Sequence, residues 1–313
     1  MSSSLHRALL KDTGIASADQ LSTQERIWFD YADSSNERGE TLLASLETHF
    51  TGPLRRQRVL DIGCGFGGGA IAAGRRGASV LGVDLSEKNL RLAAANLQDS
   101  PDLDVRFAMV DITQDGALAA LGKFDLIIAD NVIEHVSSPA KLIANASLLL
   151  NSPGHLYVTA PNARSTQMVA SECHYSLLGA SLLDPHQAEQ LLNQDSAQAK
   201  RPYEVSHYLD FAQYMDLFTR YGLVPSSLLP ESATASDIDR LAAELAGTMR
   251  SIRDRDWGAL QPAVIEAATR WQDEFDADLR FLQSDARQPV PGPIAGRIMR
   301  DYGYALWYFV GRK

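Results

Sequence analysis

Residues 59–70 read VLDIGCGFGGGA, and the fold turns on what this stretch is for. A short apolar run ends in an acid, Asp61, and five of the next eight residues are glycine. Glycine accepts positive φ and lets another group approach the backbone closely. A structural turn needs one or two glycines, so five in eight point to a ligand held against the main chain.

The flanking sequence places this loop. RVLDIG (58–63), ASVLGVDL (78–85), DVRFAMVDI (104–112), FDLIIADNVI (124–133) and HLYVTAP (155–161) read as strands. Between them lie helical stretches: GGGAIAAGRRG stopped by Gly77, EKNLRLAAANLQ capped by Ser86, and a helix opened by Ser138 and Pro139. Strands alternating with helices of about 10–15 residues predict βαβ units and a doubly wound parallel sheet over 58–161. The glycines then occupy its first strand–helix turn, at the strand ends where such folds bind ligands.

Two ligand classes fit the loop. Gly63, Gly65 and Gly68 satisfy the dinucleotide pattern G-x-G-x-x-G. Asp61, Gly63, Gly65 and Gly67 equally satisfy acid-x-G-x-G-x-G. A carboxylate at Asp61 works against a pyrophosphate at the helix N-terminus and suits a cation, such as a sulfonium with an α-ammonium group. Asp84, ending the second strand, is placed to accept from ribose hydroxyls, a device both classes use. Asp111, ending the third, is placed to accept from an adenine amino group.

The motifs VLDIGCGFGG, VLGVDLS, FAMVDI, FDLIIADNVIEHV and PGHLYVTAPN resemble, in order and spacing, those of class I S-adenosylmethionine-dependent methyltransferases. NVIEHV followed by PGHLYVTAPN is most similar to the branch containing the ubiquinone-biosynthesis O-methyltransferases and related enzymes acting on glycans and natural products, which implies O-methylation of a sugar, lipid-linked or natural-product hydroxyl. The resemblance implies a seven-stranded, mostly parallel sheet, with YGLVPSSLLP (221–230) as strand six and an antiparallel YALWYFVGRK (304–313) as strand seven. It implies S-adenosylmethionine as cofactor, with Gly63, Gly65 and Gly67 along its methionine part and Cys64 among them. Asp84 would hold the ribose, Leu85 would lie beside the adenine, Asp111 and Ile112 would meet its edge, and Asn131 would face the reacting centre. Cys64 itself reads as a small buried filler.

On this reading residues 1–54 form an N-terminal helical segment, with helical spacing over 21–50 and loosely held residues 1–20. The methyltransferase core takes 55–230 and 304–313, with an insertion at about 163–205. Residues 231–303 form a second helical insertion. Its stripes Ile238, Leu241, Leu245, Met249, Ile252 and Leu260, Val264, Ala268, Trp271, Phe275, Leu279, Leu282 predict buried helix faces. Such bulk suits a helical cap or the interface of a homodimer. QPVPGPIAG (288–296) reads as a proline-rich connector.

Methyl transfer to a hydroxyl gains from a general base, and histidine titrates near neutrality. His135, just past strand four, is best placed by fold. His174 and His207 lie in segments that run over the same strand ends, while Glu134 reads as structural. Transfer to nitrogen or carbon would need no such base. A NAD(P) oxidoreductase or a non-catalytic nucleotide-binding protein is the alternative of another class, opposed by Asp61, Asp111 and the lack of an obvious Tyr-x-x-x-Lys.

The rest of the chain sets the setting. Its 313 residues carry a net charge of −10, which disfavours nucleic acid and leaves a small molecule as acceptor. No apolar run is long enough to span a membrane, and the N-terminus does not read as a signal peptide. Cys64 and Cys173 are the only cysteines and form no C-x-x-C, so a reducing cytoplasm is expected. No carboxylate–histidine cluster shows metal-ligand spacing, so no metal is expected.

Overall fold

In the computed structural model residues 3–49, 53–194, 202–206, 208–284 and 292–313 are described. The strands are β1 (Arg58–Ile62), β2 (Ser79–Asp84), β3 (Val105–Met109), β4 (Phe124–Ala129), β5 (Leu150–Pro161), β6 (Val224–Ser227) and β7 (Leu306–Arg312). They form one sheet in the order β3-β2-β1-β4-β5-β7-β6. Strands β1 to β5 pair in parallel, and β7 runs antiparallel to both β5 and β6. The seven-stranded sheet expected from the motifs is the one observed. Its strand order reverses between β1 and β4, which opens a crevice at their carboxyl ends.

Alternation along the strands sorts side chains into two layers. Leu60, Ile62, Ile127, Leu156 and Val158 pack on one face against Leu142 and Ile143 and against Tyr214 and Phe218. Val59, Val80, Leu126, Ile128 and Tyr157 pack on the other against Leu43, Leu46, Ala70 and Ala73. With both faces covered, the central strands need continuous apolar runs, which is why they are legible in the sequence.

The N-terminal segment departs from expectation. Residues 4–13 are not loosely held but form α1 (Ser4–Thr13), capped by Ser3 and closed by Gly14 in the left-handed region. Leu5 and Leu9, one turn apart, are fully buried. The amide and hydroxyl of Ser4 both donate to Asp99, at 2.7 and 2.6 Å. The helical pattern over 21–50 resolves into α2 (Thr23–Asp33) and α3 (Ser35–His49), broken at Ser34. Next come α4 (Gly68–Arg75), α5 (Glu87–Leu97) and α6 (Pro139–Leu149). Helices α3 and α4 touch backbone to backbone: a Cβ on Gly68 would lie 2.0 Å from the Ser35 carbonyl oxygen.

The first insertion carries α7 (Thr166–Ala170) and α8 (Pro185–Gln194), and α9 (Phe211–Arg220) returns the chain to the sheet. The second carries α10 (Ala235–Asp254), α11 (Gln261–Ser284) and α12 (Pro293–Ile298), ending in a π turn over Met299–Gly303. Both stripes read from the sequence are buried, except that Leu279 and Leu282 are partly covered at the margin. The two insertions share one core, in which Tyr175, Leu191 and Leu192 meet Leu245, Trp257 and Trp271. The connector 288–296 lies in part outside the described residues.

Candidate active site

The glycine loop lies where the crevice opens. Gly63, Gly65 and Gly67 all have positive φ, but their surroundings differ. A Cβ on Gly63 would strike Val132 at 2.3 Å, and one on Gly67 would strike Phe107 at 2.8 Å. Those two glycines are therefore required by packing. A Cβ on Gly65 would meet nothing nearer than the Gly63 carbonyl oxygen at 3.9 Å. Space beside the backbone is open at that residue. The first amide of α4, on Gly68, is already taken by the Ser35 hydroxyl at 3.2 Å.

Beneath the loop lies a floor of acids. Asp61 is buried, and burial, with the nearby charges of Asp130 and Asp84, pushes its carboxyl up to about 7. A bond from the Ala70 amide opposes this only in part. Asp130 is likewise raised by burial and by Glu134, against a 2.6 Å bond from the Thr159 hydroxyl. The Arg38 charge offsets this only in part, and negative charge so gathered suits a positively charged ligand.

The neighbouring strand ends carry the other expected contacts. Asp84 accepts from the Gly65 amide at 2.9 Å and from the Ser86 amide at 2.7 Å, so it fixes the loop while lone pairs stay available. Leu85 is 63 % exposed, an apolar surface next to that carboxylate. Asp111 accepts from Thr113 and Gln114, which hold its carboxyl below the usual range despite some burial. Ile112 is buried in the sheet core. Asn131 follows β4 with φ 53°, a conformation asparagine tolerates, and its amide donates to Thr159 Oγ1 at 2.7 Å. Cys64 is buried, and burial raises its thiol, which stays protonated.

Two of the three candidate histidines come together. The rings of His135 and His174 lie edge to face, 4.7 Å between centroids. His135 Nδ1 is 3.1 Å from the Glu204 carbonyl oxygen. A carbonyl only accepts, so Nδ1 carries a proton toward it. The ring is exposed. His174 is different: its Nδ1 lies 2.5 Å from Glu172 Oε1. Burial disfavours a charged His174, but Cys173, Glu134 and Glu172 outweigh it and hold the ring protonated. An imidazolium cannot accept a further proton, which leaves His135 as the candidate base of the pair. His207 lies outside the described residues.

Glu134 is fully buried, and neither carboxylate oxygen has a hydrogen-bond partner among the described residues. His135 Nε2 and His174 Nε2 approach its Oε1 at 3.8 and 3.7 Å. Ligating atoms of Glu134, His135 and His174 lie within 4.8 Å of one another, as do those of Glu172, Cys173 and His174. Linear spacing does not show the first set, because the fold joins residues some 40 positions apart, whereas the second is three consecutive residues. Sequence reasoning also missed Asp130, Glu172 and Tyr208, whose hydroxyl donates to Glu172 Oε1 at 2.7 Å. The acid two residues before His174 was the available signal for Glu172.

Comparison with known proteins follows this geometry. The profile of a family described as methyltransferase domain matches residues 34–228. A ubiquinone biosynthesis O-methyltransferase of Thiobacillus denitrificans is 35 % identical over 127 residues, 40 % of this chain and 54 % of that protein. One from Acinetobacter baylyi is 31 % identical over 111 residues, 36 % of this chain and 46 % of its own. The chain thus spans about half the length of the curated relatives it matches. Among solved structures, phosphoethanolamine N-methyltransferase 2 of Haemonchus contortus, in complex with S-adenosyl-L-methionine, is similar at 18 % identity with a TM-score of 0.46. That match covers 86 % of this chain and 51 % of the other. No described helix is long and apolar enough to cross a membrane.

Proposed function

The chain belongs to the methyltransferase-domain family, and we propose that it transfers the methyl group of S-adenosylmethionine to a hydroxyl of a sugar, lipid-linked or natural-product small molecule. The observation that carries this reading is the acid floor under the open glycine, with Asp61 buried and Asp130 and Asp84 half-buried. Asp61, Asp130 and Asp84 offer negative charge where a sulfonium and an ammonium group would sit. The same charge repels the pyrophosphate of a dinucleotide, which argues against the oxidoreductase. His135, with Nδ1 held by the Glu204 carbonyl and Nε2 3.8 Å from Glu134, favours a hydroxyl over an acceptor that needs no base. The cofactor supplies a methyl group already activated for displacement. The residues align the acceptor oxygen and take its proton.

Calorimetry tests both cofactor and floor. S-adenosylhomocysteine is expected to bind one per chain, and NAD not to bind. Its α-ammonium group needs Asp61 ionised. Below pH 7, where the buried carboxyl takes up its proton, affinity should fall by up to about tenfold per unit. Above it, affinity should level off. Binding at pH 6 should release a proton, seen as heats that differ between buffers of unlike ionisation enthalpy. Equal heats and a flat profile would remove Asp61 from the site, and binding of NAD alone would sink the methyltransferase reading.

Glu134 favours a second reading. Two buried carboxylate oxygens without hydrogen-bond partners among the described residues, one of them 3.8 and 3.7 Å from two imidazole nitrogens, could take a divalent cation if it displaced the His174 proton. Such a cation would polarise the acceptor hydroxyl in place of a histidine base. Dialysis against EDTA would then abolish turnover while leaving S-adenosylhomocysteine affinity intact, and added Mg²⁺, Mn²⁺ or Zn²⁺ would restore it. Turnover unchanged by EDTA would dismiss the cation.

A further inference from the structure

We infer that the acceptor is a polyhydroxylated, sugar-type ring seated in the cavity between the two helical insertions, where aromatic walls meet two guanidinium groups and two carboxylates. The inference rests on the methyltransferase reading and names its substrate class.

The cavity measures about 490 Å³, within the range of small-molecule sites. Tyr203 and Tyr208 contribute aromatic surface, Trp271, 2 % exposed, reaches the lining only at its edge, and Arg164, Arg270, Asp184 and Glu274 contribute charge. The two positive and two negative groups balance, so the cavity holds no net charge with which to select an ion. It holds forked donors and acceptors flanking aromatic surface. Vicinal hydroxyls both donate and accept, and the C–H faces of a sugar ring stack on aromatic side chains. A planar apolar ring would leave these polar groups without partners, which a hydrogen-bonding site penalises heavily.

The donors are held ready. Arg164 is fixed by an ion pair to Glu274 and by a 2.8 Å bond to the Tyr302 hydroxyl. Its Nε is buried and has no partner among the described residues. Arg270 is exposed on α11 and has no ion-pair partner among the described residues. Trp271 is fixed by its indole N–H, which donates to the Arg164 carbonyl at 2.8 Å.

The cavity also shares a wall with the histidine pair. Tyr203, Val205, Ser206 and Tyr208 line it. From the same segment the Ser206 amide donates to the Glu134 carbonyl at 2.8 Å, and the Glu204 carbonyl accepts from His135. Tyr208, in that wall, bonds Glu172, the partner of His174. A ring in the cavity is therefore registered against the residues that act on its hydroxyl.

The whole chain should be titrated with D-glucose, D-galactose and L-rhamnose, and with catechol and cyclohexanol as hydroxylated rings that are not polyols. Each titration is run with and without S-adenosylhomocysteine, read by calorimetry and by the ¹⁵N-labelled indole signal of Trp271, assigned with Trp271→Phe. At least one sugar should saturate in the millimolar range and shift that signal, with both controls at least tenfold weaker. Arg270→Gln should weaken the sugar about tenfold or more and leave S-adenosylhomocysteine affinity unchanged. Failure of every sugar to saturate, catechol binding as tightly, or a sugar indifferent to Arg270→Gln overturns the inference. Sugars failing while S-adenosylhomocysteine binds defeats this inference alone. Sugars binding while S-adenosylhomocysteine does not defeats the methyltransferase reading and leaves the sugar site standing.

Discussion

Valine at position 65 is expected to abolish binding of S-adenosylhomocysteine and leave the sheet folded. Gly65 has φ 50°, where a β-branched residue is strained by about 1–3 kcal/mol. Its side chain would enter the open space beside the backbone, not the core. Strain and occupied space together should cost at least about two orders of magnitude in affinity, roughly 3 kcal/mol. Gly63 and Gly67 could not serve for this test. A side chain at either would strike Val132 or Phe107 and disturb packing along with binding. Circular dichroism should match the parent chain, and calorimetry should show no saturation. Normal affinity in Gly65→Val would mean the loop is not the cofactor's cradle.

His135→Ala and His174→Ala should fail in different ways. Loss of His135 should lower turnover by about 10²–10⁴, the usual contribution of a general base. Affinity for S-adenosylhomocysteine should hold. Loss of His174 removes the positive charge between Glu172 and Glu134, both fully buried. Breaking such a pair costs about 3–5 kcal/mol, so the variant should melt well below the parent. His174→Gln should recover part of that loss without restoring charge. A stable His174→Ala with lost turnover, beside an active His135→Ala, would exchange the two roles.

How much of this was legible depended on what each signal encodes. Strands buried on both faces leave continuous apolar runs, so β1, β2 and β4 stood out, as did the Ser86 and Ser138 caps. α1 did not, because Leu5, Ala8, Leu9 and Leu10 in a ten-residue helix are a short pattern until α5 covers them. Amphipathic stripes over 238–282 said that a face is buried, not against what, so the core shared with Tyr175 and Leu191 stayed hidden. The glycine pattern located the loop but not which glycine faces open space. The pairing of His135 with His174, and the contact of His135 with Glu204, is tertiary and left no linear trace, whereas Glu172 stands two residues before its partner His174.

The core shared by the two insertions has a consequence for biosynthesis. During translation α7 and α8 leave the ribosome long before their partners α10 and α11 exist. At ~5–20 residues per second, their apolar face waits several seconds for its cover. β7, which joins β5 to β6, emerges later still. The nascent chain thus passes through a stage with a half-built sheet and an uncovered helical surface, both completed by its final third. That is the interval in which chaperones would protect this protein, and in which a stalled or shortened message would yield an aggregating product.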